Sequence, residues 1–526
     1  MPPAGPPASI RPKGAWIGLA LALPPVIALR GFTVDDAWIP ARYALHLASG
    51  IGLRFNPGDP PSDGVTPLPW TPLLALAHPI ASIMGHPSID GLWIAARLIG
   101  VASWLLAAAL IGRHVASLDR DRSRWLALTP LALSAPLGAW AWGGLETGLT
   151  TLLVTIAATS SPTRAALAVG LAASLRPEAI VLAVALTALR PAPSITTRVT
   201  HSLLAAAPWL AVVVIRLVAF GKPYPLSVLA KPSDLSHGLA YVIAGLLLAG
   251  APVLALAPRA MMRADGETRA LLGAACLHAA TVAWAGGDWM PLSRLLVPSL
   301  PLWMVAAARL TPARPDPTPL APSPCAAGRG GGGSRHGASV APEDSSHRLL
   351  STPSPCGAGG GGRGGGVGPR AGEVLRVLLA AATMLFAWWR VGASARGVVP
   401  VRDALLAQAR PVLAPCRSVA SLDAGWVGAA TPARVVDLAG LTDLALASLP
   451  GGHTSKKVTG AMLDRREVDT LILLRRRGLA ADEVRDDGGP YDRQVEERLA
   501  ADPWVQAHLH PGPVLAAGDL VYVVWR

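Results

Sequence analysis

The sequence predicts a polytopic α-helical membrane protein of about 11 membrane segments, with a small α/β domain at its C-terminal end. Three observations carry this. Mean hydropathy is +0.42 and only 15% of residues are charged, where a soluble chain of this length would carry about 25%. The apolar residues gather in blocks, at 14–29, 92–112, 125–142, 145–159, 165–189, 199–219, 238–257, 269–285, 292–308 and 374–391, and runs of about 18–20 apolar residues read as spanning helices. Beyond 391 the composition changes to that of a soluble domain.

The first block, 14–29, reads as a span. A signal peptide is the alternative, but no small-residue cleavage site follows it and further spans do. Arg11 and Lys13 before it place its start in the cytoplasm, so 32–90 is an outer loop. Asp35 and Asp36 stand where the chain emerges, and an amphipathic stretch follows at 37–48. The segment 67–84 is apolar but broken by Pro67, Pro69, Pro72 and Pro79, and reads as a helix lying in the interface. Block 165–189 holds Arg176, Pro177 and Glu178 in its middle. Such polar backbone belongs only inside a bundle or at a cavity, so it reads as two half-segments meeting near the outer face. Residues 1–309 thus form the membrane domain, 310–371 a disordered Pro/Gly-rich cytoplasmic linker that cannot bury a core, and 372–391 the last span. Within 392–526, strands are expected at 433–440, 468–474 and 519–526, with a charged helix near 491–501.

The net charge of +13 suggests nucleic acid, but its position argues against that. Residues 392–526 carry sixteen Lys and Arg against sixteen Asp and Glu, so the excess lies wholly in 1–391. Much of it sits in short loops, at 113–124, 190–198 and 259–269. That is the positive-inside pattern, and no nucleic-acid partner is expected. Cys276, Cys325, Cys356 and Cys416 show no paired or metal-ligand spacing, and only Cys416 lies in the C-terminal domain.

The candidate chemistry lies at outer helix ends. Either Asp35 or Asp36 can take the proton of an attacking hydroxyl, with the other orienting it or holding a divalent cation such as Mg or Mn. The alternative for both is helix N-capping. Asp63, in SDGVTPLPW, marks either a turn or a substrate contact. Glu146, in WGGLETG, opens an apolar segment and needs water or a partner. Arg176 suits a phosphate, or simply pairs with Glu178. Lys222 and Lys231 run against positive-inside on the outer face, which points to a phosphate-bearing ligand. Asp288, Trp289 and Arg294 follow in GGDWMPLSR, where an interfacial tryptophan is the plain reading of Trp289.

Taken together, DDAWIPARYALHLASGIGLRFNPG, SDGVTPLPW, WGGLETGL, LRPEA, FGKPYPLSVLAK, GGDWMPLSRLLVP and VVDLAGLTD resemble lipid-linked-sugar glycosyltransferases of the GT-C class. The likeness is greatest to the actinobacterial cell-wall arabinofuranosyltransferases that add terminal residues. It covers most of 30–300 and much of 420–475. Asp63 departs from the usual Glu, Val65 from the usual Tyr, and Leu226 or Ser227 from the usual Asn. The resemblance implies Asp35 or Asp36 as the base. It implies Arg176, Lys231 and Arg294 as donor or phosphate contacts, and Asp63, Glu146, Glu178, Asp288 and Trp289 as substrate contacts. The implied donor is a polyprenyl-phosphate sugar, the acceptor an envelope glycan, and the place the inner membrane with site and C-terminal domain outside. Two competitors are a GT-C transferase of hexose or aminoarabinose to lipid A or protein, and a transporter. The transporter expects matched halves and midplane polar residues, which the chain lacks.

Overall fold

A computed structural model describes residues 10–86, 88–118, 120–231, 233–312, 371–479 and 483–526. The linker expected at 310–371 lies, apart from its ends, outside the described residues. The chain builds a helical bundle, continued by the helix Ala371–Leu413, with an α/β domain seated on one end.

The first helix, Ile10–Ala28, runs antiparallel to the long helix Ile89–Ser117, because Gly14 and Gly18 let its backbone close on Gly112 and Ala108. The chain leaving the first helix therefore meets the start of the second, where Trp38 stacks on Trp93 at 4.8 Å. With a rise of about 1.5 Å per residue, Ile89–Ser117 separates the two ends of the bundle by about 42 Å along its axis. Asp35 and Asp36 lie at one end, and Arg120 at the other.

Four helices are long and apolar enough to cross a membrane: Ile89–Ser117, Ile195–Phe220, Pro291–Leu310 and Ala371–Leu413. Large apolar side chains stay exposed along Ile195–Phe220 and the first half of Ala371–Leu413, which is compatible with a lipid-facing surface. The expected count of about 11 spans is not supported. Hydropathy counts apolar residues and does not register where a helix breaks; proline and glycine stand at some of the breaks here, although Pro208 and Pro400 lie inside helices. Block 125–142 is cut into Arg122–Leu128, Thr129–Leu133 and Ala135–Trp142, and block 238–257 is divided at Gly250 and Pro252.

Block 165–189 is two half-helices, Pro162–Leu175 and Ala179–Leu189, with Arg176–Glu178 at the turn. The Arg190 guanidinium donates back to the Ala157 carbonyl at 2.9 Å and pairs with Glu267 at 2.6 Å. The hairpin therefore starts and finishes at the arginine end, and its turn points to the Asp36 end. The helix Trp70–Ile83 begins and ends at the Asp36 end, so it lies across the bundle, with Leu76, Ile80 and Ile83 exposed.

The last helix runs past 391, the end expected for it, to Leu413, and delivers the chain to a five-stranded sheet. Its strands are β1 (Ser418–Ser421), β2 (Arg434–Asp437), β3 (Thr470–Leu474), β4 (Pro511–Ala517) and β5 (Leu520–Trp525), in the order β2-β1-β3-β5-β4. The β1–β2 and β1–β3 pairs are parallel, and β5 pairs antiparallel with β3 and β4. The carboxyl ends of β1 and β2 meet the bundle at Asp423 and Asp437, where ligand-binding edges of parallel sheets lie.

Candidate functional site

Asp35 and Asp36 share one short 3-10 turn, Asp35–Ala37, and neither caps the helix Trp38–Ala48 that follows. Their carboxylates diverge. Asp35 is turned into the C-terminal domain, where it accepts from the Trp426 N–H at 2.9 Å and the Gly425 N–H at 3.1 Å. It therefore caps the helix Ala424–Ala430 from another domain. That helix's own N-cap, Asp423, is engaged by Arg493 and by the Tyr522 hydroxyl at 2.6 Å. Burial raises the Asp35 carboxyl, while Arg493 and Arg402 overcome burial to hold Asp423 low. Each Asp35 oxygen thus holds one backbone N–H of the C-terminal domain.

Arg42, seven residues on from Asp35, holds the opposite end of the same helix. Its guanidinium donates to the carbonyls of Gly428 at 2.7 Å, Thr431 at 3.1 Å and Ala433 at 3.0 Å. Asn56 adds a two-way amide pairing with Val435 of β2, at 2.9 and 3.0 Å. Carboxylate at the N-terminus and guanidinium at the C-terminus match the helix dipole.

Asp36 faces a cavity instead. Its walls include Glu146, Arg176, Lys231, Arg294, Thr66 and, from the C-terminal domain, Leu441. The free space is about 50 Å³, room for a water or two and not for a sugar ring. Burial raises the Asp36 carboxyl above the usual carboxylate range, against the pull of Lys231 and Arg294.

Each wall has a local cause. Gly144, at φ +77°, turns the chain so that Glu146 reaches the Asp36 turn; a Cβ there would stand 3.0 Å from the Ala37 Cβ. Arg176 sits at the break of the half-helix pair, 3.1 Å from Glu146 and 2.9 Å from Glu178. Arg294 follows Leu292 and Ser293, two non-glycine residues at φ 59° and 50°, and such strain gathers where structure fixes a functional group. Asp288, behind the cavity, pairs with Arg294 at 2.7 Å and Lys231 at 3.6 Å. Burial would raise its carboxyl, but those cations hold it down at about 2. Among the described residues, Arg176 Nη2 and Arg294 Nε are buried without a hydrogen-bond acceptor. Each guanidinium, ion-paired through its other nitrogens, thus keeps one N–H without an acceptor, while both carboxylate oxygens of Glu146 in the same wall lack a hydrogen bond.

Other candidates lie elsewhere. Asp63 is buried against Arg216 at 2.7 Å and ties the first loop to the helix Ile195–Phe220. Glu178 supports Arg176 and does not line the cavity. Trp289 is partly exposed outside it, with the Lys231 ammonium 5.5 Å from its ring and the His453 ring at 5.6 Å. Burial, with Lys231 adding to it, holds the His453 imidazole neutral, down at about 4. Lys222 has no place in the cavity wall.

The donor set does not fit the divalent cation considered for Asp35 or Asp36. No three His, Cys, Asp or Glu residues cluster among the described residues, and Lys231, Arg176 and Arg294 already bring positive charge to Asp36. Arg42, Arg216, Leu441 and His453 were not singled out in the sequence. Only Arg42 left a signal, two helical turns from Asp35.

No family model, curated protein or solved structure matches this chain.

Proposed function

We propose that the chain is an inverting membrane glycosyltransferase. It moves a sugar, arabinofuranose being the first to test, from a polyprenyl-phosphate donor to an envelope glycan. One observation carries the reading: a carboxylate lifted above its ordinary value shares one cavity at a bundle end with two ion-paired guanidiniums that each keep one buried nitrogen without an acceptor. A base beside an oxyanion holder is what transfer from a phosphate leaving group requires.

In this mechanism Asp36 accepts the proton of the acceptor hydroxyl. Its oxygen attacks the anomeric carbon on the face opposite the phosphate. The bond to the phosphate oxygen breaks, and the electron pair leaves with the polyprenyl phosphate. Arg176, Arg294 and Lys231 bind that phosphate and stabilise its growing charge. Trp289 and His453 offer a flat rim on which a sugar ring of the acceptor can stack. Asp35 fixes the turn that carries the base and does not touch substrate.

The test is transfer from a radiolabelled polyprenyl-phosphate sugar in membranes, with donor binding measured separately. Asp36→Asn should lower transfer by about 10²–10⁴-fold and leave donor binding in place. Lys231→Ala should weaken donor binding first. Near-full transfer by Asp36→Asn would remove the base and with it the mechanism.

A further inference from the structure

We propose that the arginine end of the bundle carries a site for the phosphate headgroup of an anionic membrane lipid. A cavity of about 910 Å³ opens there between the loop after Ile89–Ser117, the short helix Pro258–Met262 and the end of Leu300–Leu310. Arg120, Arg259, Arg263 and Arg309 reach it from three segments far apart in sequence. Its one carboxylate, Asp265, is held by Arg309 at 2.6 Å. Among the described residues no carboxylate pairs with Arg120, Arg259 or Arg263. The positive-inside tendency accounts for arginines in loops; it does not account for four of them converging on one space whose one carboxylate, among the described residues, is Asp265. Guanidiniums so placed repel one another, and a phosphate relieves this while accepting paired hydrogen bonds from each fork.

A second observation selects a lipid over a free phosphate. The same short helix that carries Arg259 leaves Met261 and Met262 exposed, Met262 by 87%, and Leu256 just before it is exposed too. Apolar side chains beside arginines on one short helix are the pattern of an interfacial element, with acyl chains taking the first and headgroups the second. A soluble anion makes no use of the methionines. The site lies at the end opposite Asp36, so the proposal stands independently of the transferase reading.

The experiment uses the full-length protein in detergent. Bound phosphatidylglycerol and phosphatidylcholine are counted by native mass spectrometry, for the protein, for Arg259→Gln/Arg263→Gln, and for Arg417→Gln/Arg465→Gln on the C-terminal domain as an equal charge change elsewhere. The protein and the control pair should prefer phosphatidylglycerol, and Arg259→Gln/Arg263→Gln should lose about 30-fold of that affinity, roughly fivefold per arginine. Its melting temperature in phosphatidylcholine should match the parent's, since both side chains are exposed. Equal retention of the two lipids, or an unchanged preference in Arg259→Gln/Arg263→Gln, overturns the proposal. Displacement of phosphatidylglycerol by an equal concentration of inorganic phosphate overturns the choice of a lipid.

Discussion

Asp36 is the meeting point of two opposed effects: burial, which favours its neutral form, and the charges of Lys231 and Arg294, which favour the ionised one. A base works only when ionised, so transfer should fall on an acid limb as pH drops through the Asp36 titration. Removing a cation raises that midpoint, and removing an anion lowers it. Lys231→Ala should therefore move the acid limb to higher pH, and Asp288→Asn should move it to lower pH, as Asp288 adds to the rise. Rate profiles across pH check both, and shifts in one common direction would exclude Asp36 as the titrating group. The site was legible where polar residues stand in or at the ends of apolar blocks, as Asp36, Glu146 and Arg176 do, and where Lys231 runs against positive-inside and Arg294 follows GGDWM. The different task of Asp35 was not legible, because its partners lie 390 and 391 positions away. His453 and Leu441 left no signal, since a loop residue takes its meaning from what its domain is pressed against.

At the scale of elements, the helix Ala424–Ala430 is gripped at both ends by one stretch of the first loop. A Cβ on Gly425 would stand 2.1 Å from the Asp35 carbonyl oxygen. Gly425→Ala should thus push the domain off the bundle without harming the sheet. Arg42→Ala strands the carbonyls of Gly428, Thr431 and Ala433 and should loosen docking by about 3 kcal/mol or more. Hydrogen exchange of the amides in 424–430 reads both outcomes, and unchanged protection would show the grip to be weak. Asp437 and Glu496, buried in the C-terminal domain, are both pushed up to about 7 by burial. The folded domain keeps these protons where the unfolded chain has released them, so their contribution is full below the ordinary carboxylate range and is lost as pH rises to about 7. Asp423 and Asp288 act in the opposite sense only in acid below that range, whereas His453, held down at about 4, acts in the opposite sense as pH falls through the ordinary histidine range. The double variant Asp437→Asn/Glu496→Gln should therefore lose less melting temperature than the parent between pH 5 and pH 8, followed by tryptophan emission. Three of the five strands were legible as apolar runs. β1 is only four residues, SVAS, and β4 opens on Pro-Gly-Pro, which an edge strand tolerates and a sequence pattern reads as loop.

For the whole molecule, 10–312 and 371–526 meet through more than the chain that joins them. Along Ala371–Leu413, Arg376 donates to the Leu254 carbonyl at 2.8 Å, the Trp388 indole to Leu133 at 2.7 Å, and the Val399 amide to Gly31 at 2.8 Å. Cutting the chain at a protease site inserted between 313 and 370 should leave the two pieces co-purifying in detergent. Their separation would show that the covalent link holds them. Hydropathy predicted a helical bundle followed by an α/β domain, but its count of about 11 spans is not supported, since it does not register where a helix breaks. The grip of Asp35 and Arg42 on Ala424–Ala430 also bears on how the molecule is made. The first loop leaves the ribosome hundreds of residues before its partner, and for that interval Asp35 has no amides to accept from and Arg42 no carbonyls to meet. The cavity beside Asp36 gains its Leu441 wall only once both domains exist. Synthesis thus runs with that cavity unfinished, and completion of the C-terminal domain is the event that closes it.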